Sequence, residues 1–138
     1  MSNNPLSVDI KDILVAGSIG VYNATDGWAI FVGLLKDQPN TAIGIIDIGG
    51  SYENTLGQTD NQVRAPEVQV LVRGTGYSAT WQKAQAIQVA IEQYDYSSAI
   101  GSYTYGSIVT SVQPFLIERD NRKRTTFQVN FRAIRQLT

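Results

Sequence analysis

A chain of 138 residues with net charge -1 and a pI near 5.3 is long enough to bury one core. It carries none of the basic excess that a phosphate-neutralising protein shows. The absence of cysteine and histidine excludes disulfides, thiol catalysis and cysteine metal sites, and removes the commonest general base and metal ligand. Apolar residues make up 43% and charged residues 17%; the first fraction suits a folded protein, and the second leaves a surface that is uncharged or engaged with something.

The opening "MSNNPLSVDIKD" has no basic region followed by an apolar core, so it does not read as a signal peptide. No apolar run approaches the roughly 18 residues of a membrane span. One domain over 1–138, made in a cytoplasm and without membrane contact, is the expectation.

Residues 5–17 predict a helix, with Leu6, Ile10, Ile13, Leu14 and Gly17 at helical spacing. Ser7 suits its start as a cap, and Asp9 stands in the first turn, where the helix dipole favours an acid. "GSIGVYNATDG" reads as a connection. Two apolar runs follow, 28–35 and 42–49, joined by "KDQPN", and they predict a strand hairpin. Their apolar residues occupy both faces; a helix can cover one, and a neighbouring subunit could cover the other. Residues 49–65 read as a long polar loop of the kind that is functional or disordered.

The run 66–74 alternates Val68, Val70 and Val72 against Gln69, Leu71 and Arg73, which predicts a strand. Residues 77–94 form the strongest predicted helix, with Ala84, Ile87, Ile91 and Tyr94 as its apolar stripe and Trp81 at the edge. Past a link at 95–102, strands are expected over 107–113 and 115–119, with Pro114 as a break and Gly106 as a bulge. The last strand is expected over 125–135. The fold class is α+β, a mostly antiparallel sheet of about five to six strands with two helices packed on one face.

Three stretches invite a chemical reading. Gly74, Gly76 and Ala79 spell G-x-G-x-x-A between a strand and a helix, the local setting for dinucleotides. The acid that should end a following strand is absent, because Asp95 directly follows the helix. A tight turn needing free backbone angles is the better account. Paired carboxylates are the remaining acid–base option, yet Glu67 is followed by Val68 and Gln69, without the lysine a metal nuclease would use, and Glu118 and Asp120 flank a charged turn. Surface pairing with arginine suits these acids better. "IIDIGGS" could form an anion nest, although a strand stopped by two glycines describes it as well. No catalytic, cofactor or metal residue is assigned.

"RDNRKR" (119–124) gathers cations between two strands: six of the eleven basic residues lie from Arg119 onward. Pairing Ile117 with Phe127 and Phe115 with Val129 would put the apolar set on one face and close a loop of roughly Asp120 to Arg124. Such a hairpin tip could be solvated, dock on another protein, or touch DNA. No aromatic is interleaved with the cations, as stacking on single strands would want.

In order and spacing the chain resembles the tail terminator or minor capsid proteins of tailed bacteriophages. The resemblance is carried by the apolar strand into "IDIGG" (46–50), by "PEVQVLVRGTGYSATWQKAQAI" (66–87) and by "FLIERDNRKRTTFQVNFRAI" (115–134), with its Arg119–Asp120 and the strand ending Asn130–Phe131. It covers most of the chain from about residue 28 onward. It implies a structural, non-enzymatic virion protein at the tail–head junction, assembled in the cytoplasm of the bacterial host. It also implies a ring, usually hexameric, that caps the tail tube, ends its polymerisation and presents a docking surface to head-completion or connector proteins, while double-stranded DNA passes through. On that basis the interface is expected at Tyr52, Glu53 and Leu56 of the long loop and at Arg119, Asp120, Arg122, Lys123 and Arg124 of the tip. Arg73 and Arg132 are expected to pair with acids across subunits. Another neck or head–tail adaptor protein, or a DNA-binding module, is the competing reading.

Overall fold

The protein is seen in a computed structural model that describes residues 4–53 and 63–137, the side chains of 51–53 and 137 excepted. In chain order the elements are α1 (Leu6–Ala16), β1 (Val21–Tyr22), β2 (Ala29–Val32), β3 (Ala42–Glu53), β4 (Val63–Gly74), α2 (Tyr77–Glu92), β5 (Tyr103–Arg119) and β6 (Thr125–Leu137). The strands form one sheet in the order β1-β2-β3-β4-β6-β5. The β1–β2 and β2–β3 pairs are parallel and the other three pairs antiparallel. This is the expected α+β class.

The alternating strands do what their period-2 pattern asks of them. Val68, Val70 and Val72 of β4 lie opposite Phe131, Val129 and Phe127 of β6, and all six are buried in one cluster. Both helices cover that face, α1 through Leu6, Ile10, Ile13 and Leu14 and α2 through Ala84, Ile87 and Ile91. Tyr94, expected to extend the α2 stripe, lies past the helix end and is exposed.

The cap of α1 differs from the expectation. Pro5 stands at the N-cap without a side-chain bond. Ser7 donates its backbone N–H to one oxygen of Asp47 (3.1 Å) and its hydroxyl to the other (2.5 Å). A carboxylate from β3 thus caps the helix from outside, where exposed N–H groups and the dipole favour negative charge.

Residues 28–35 and 42–49 do not make a hairpin. β2 and β3 run parallel, with Ala29 beside Ala42 and Val32 beside Ile45. The connection 33–41 is shorter than the dozen or so residues usual for a parallel crossover, and it doubles back over the face opposite the helices. Leu34 crosses Gly44 so closely that a methyl group there would sit 2.8 Å from its carbonyl oxygen. Leu35 and Ala24 pack on a second small cluster of Ala29, Phe31 and Ala42. The second apolar face is therefore covered here by the chain itself, where the sequence suggested a neighbouring subunit.

Other expectations shift as well. β3 runs through Gly49 and Gly50, both at positive φ, and a bulge after Asp47, to reach Glu53; the two glycines do not stop it. β5 is continuous from 103 to 119, with Pro114 inside one of its irregularities, as an edge strand permits. Those irregularities shift the register at the tip, so Leu116 faces Phe127 and Phe115 faces Gln128. Gly74 and Gly76 have no positive φ. Gly74 is needed for close approach, since a methyl group on it would lie 2.3 Å from the Thr80 hydroxyl.

One residue type at two sites tests this division of the sheet. Phe131 is fully buried and Phe115 is 41% exposed. Phe131→Ala is expected to lower the unfolding free energy by about 3–5 kcal/mol in urea titrations, and Phe115→Ala by less than about 1 kcal/mol. Equal losses would contradict the one-sided core.

Candidate functional site

The tip joining β5 to β6 is built by Asp120. One of its oxygens accepts the backbone N–H groups of Arg122 and Arg124, both at 2.9 Å, and the other accepts Nε of Arg124 at 2.7 Å. The Asp120 N–H donates to the Arg124 carbonyl at 3.0 Å, and Lys123 adopts φ 61. An aspartate closing its own turn in this way is ordinary loop chemistry. The loop is 120–124, as the sequence predicts.

Two of its basic residues, however, dock within the chain. Arg124 is 7% exposed. Its guanidinium bonds the Asp37 carboxylate at 2.9 Å and the Asp37 carbonyl at 2.6 Å, and Arg122 reaches the second Asp37 oxygen at 2.8 Å. Arg73, at the end of β4, donates to the carbonyls of Lys36 (2.6 Å), Pro39 (2.7 Å), Asp37 (3.1 Å) and Asn40 (3.3 Å). Two nearly buried arginines thus clamp the 36–40 segment over the sheet. Charge-assisted bonds of this kind are about twice as strong as neutral ones. The Asp37 carboxyl is held below the ordinary carboxylate range, first by its bond to Arg124 and then by Arg122. Asp120 is lowered chiefly by the Arg124 backbone N–H. Burial pushes Arg73 down, and neighbouring Arg124 adds to it.

This end of the sheet carries a charge pole. Lys36, Arg73, Arg119, Arg122, Lys123 and Arg124 stand against Asp37, Glu118 and Asp120, a net +3; the other five cations and nine acids of the chain sum to -4. Arg119 and Lys123 are exposed.

Next to the pole, β5 shows Phe115, Leu116 and Ile117 at 41–46% exposure, and Val109 and Val112 are exposed further along the strand. The ladder puts Val109, Val112 and Phe115 opposite Arg132, Asn130 and Gln128 of β6, and those three opposite Glu67, Gln69 and Leu71 of β4. Amides and apolar side chains therefore tile the face away from the helices. Sequence periodicity hides this surface, because the bulges of β5 break its alternation.

The remaining sequence-named residues fall as follows. Arg132 is half-buried and opposite Glu67 of its own chain. Tyr52 and Glu53 lie at the end of β3, opposite Arg64 and Val63. Leu56 lies outside the described residues. Asp47 serves as the α1 cap, and Asp95 accepts the Ser97 N–H. Asp9, buried at the other end of the sheet, accepts the Tyr105 hydroxyl and lies 3.6 Å from Arg135. Among the described residues no cluster of three or more acids is placed to hold a metal.

The clamp has a definite pH signature. Asp37 and Asp120 are depressed in the folded chain, so their contribution is complete above the ordinary carboxylate pKa of about 3.9 and is lost as pH falls through the lower folded values. Stability in urea titrations should therefore keep the clamp's contribution from pH 7 down to about 4 and lose it below. Asp37→Asn should lower the stability at pH 7 and reduce the loss on acidification. A variant as stable as the parent with the same acid dependence would contradict the clamp.

A family profile described as "Bacteriophage tail terminator protein" matches residues 7–137. No curated protein matches the chain in sequence. Among solved structures, a chain from the "Virion of native gene transfer agent (GTA) particle" is similar with a TM-score of 0.68, over 96% of this chain and 95% of that one, at 10% identity. At that identity the likeness is one of fold. The profile spans nearly every residue described above, both helices and all six strands, and on that match the chain belongs to the bacteriophage tail terminator proteins, structural components of the phage virion.

Proposed function

We propose that the chain, acting as one domain over 1–138, assembles into a homo-hexameric ring at the tail–head junction. The ring caps the last layer of the tail tube, ends its polymerisation and presents a surface to head-completion proteins. It is built in the cytoplasm of the bacterial host, and double-stranded DNA passes through it without being read. The family match over residues 7–137 carries this reading. The mechanism is steric, with no catalytic step, cofactor or metal.

The surfaces described above support it. An open sheet face and an exposed apolar arm on β5 need partners, and a ring requires two different patches on each subunit that match and close by rotation. In this reading Arg119 and Lys123, the exposed cations of the tip, face protein partners. Asp120, Arg122, Arg124 and Arg73 act earlier, by holding the tip and the 36–40 segment in shape. Arg132 works from the sheet face, and Tyr52, Glu53 and Leu56 belong to the element that meets the tube.

Glu53 and Val63 stand opposite each other in the ladder, so replacing 54–62 with Asn-Gly closes a two-residue hairpin that suits the strand twist. That variant is expected to fold with an unchanged circular dichroism spectrum and to leave tail tubes uncapped and overlong in electron micrographs. Tubes of normal length with this variant would overturn the role given to the 51–65 element.

A further inference from the structure

Two uncovered surfaces of the chain suit each other. One is the end of the β5–β6 hairpin. Bulges around Gln113–Pro114 and at Ile117 turn the strand out of register, so Phe115, Leu116 and Ile117 are all exposed, at 41–46%. Phe115 faces the open side of the sheet and Leu116 the helix side, which makes this a knob with apolar groups on both faces. Arg119 and Lys123 stand directly beyond it, on the +3 pole. The β5 ladder is irregular at four places, which opposes continuous strand addition along its edge. Recognition here falls to side chains.

The other surface is a groove of about 330 Å³ between the ends of the two helices, lined by Ile13, Ala16 and Gly17 of the α1 end and Ala90, Gln93, Tyr94 and Asp95 of the α2 end. Its floor is apolar. Its lip carries one acid, the exposed Asp95.

The two surfaces cannot meet within one chain. Tyr77, the first residue of α2, packs edge-on against Phe127 at the knob end of the sheet, with ring centroids 5.2 Å apart. The groove lies at the other end of that helix, on the order of 24 Å away at 1.5 Å per residue. A knob and a groove at opposite ends of one molecule make a head-to-tail contact between copies. Charge complementarity selects a second copy as the occupant, because the knob carries the positive pole and Asp95 is the charged residue lining the groove.

We propose that the Phe115–Ile117 knob of one copy seats in the α1–α2 groove of the next, with Arg119 and Lys123 toward Asp95. The inference deepens the ring reading by naming its subunit contact, and rests on that reading only for closure into a ring.

The chain has no cysteine, which makes the test direct. Ile117→Cys and Gln93→Cys are prepared separately, mixed, and oxidised mildly, in solution and again on assembled tails. Mixed disulfide dimers should exceed either homodimer several-fold. Lys123→Glu or Asp95→Lys alone, placed in the mixed pair, should lower that yield several-fold, and the two swaps together should restore it. Homodimers of Ile117→Cys in excess would overturn the contact in favour of a two-fold one, and so would failure of the mixed disulfide in both settings. Capped tubes without the mixed disulfide overturn the contact alone. The mixed disulfide with bare tube ends overturns the capping function and leaves the contact standing.

Discussion

Two helices cover one face of this sheet, and the rest of the structure answers to that limit. The valines of β4 and the alternating Phe127, Val129 and Phe131 of β6 all turn toward α1 and α2. Burial on that face is the main stabilising term, since apolar area removed from water contributes roughly 25 cal/mol per Å². The opposite face then needs another solution. Over β2 and β3 the chain supplies it with the 33–41 segment, and over β6 and β5 the surface stays amide-rich and apolar, open to a partner.

The arginines explain how the self-covered part holds. A loop lying on a sheet brings backbone carbonyls with it, and those groups need donors. Arg73 presents one guanidinium to four of them, a use its planar fork suits better than a lysine would. Arg124 ties Asp37 to Asp120, so the β5–β6 tip and the β2–β3 connection form one unit. The positive pole is in this sense first a structural device, and only its outer cations are left for partners.

Where one local rule governs, the sequence is readable. Period-2 alternation identifies β4 and β6, and the Ala84, Ile87, Ile91 stripe identifies α2, because each has one buried face. The tip loop is equally plain, since Asp120 and Asn121 bring their own turn chemistry. Reading fails where a distant partner decides. The β2–β3 pair looks like a hairpin because its short connection suggests antiparallel strands, and nothing local reveals that Arg73 will hold that connection across the sheet. Ser7 looks like a cap because Asp47, forty residues away, is invisible in a window. In β5 the bulges shift the pairing, so an alternation count assigns Ile117 the place in the register that Leu116 occupies. The candidate site follows the same pattern. Its cations are evident in the sequence, but their internal partners are not, and the apolar knob beside them appears only with the register in hand.

The central claim is that this chain completes itself by assembly through the open sheet face and the exposed apolar arm of β5. Hydroxyl-radical footprinting of the free chain and of the same chain in assembled virions tests that most directly. The account predicts strong protection of Val109, Val112, Phe115, Leu116 and Ile117 on assembly, with the buried core unchanged. Equal labelling of those five side chains in the two states would contradict it.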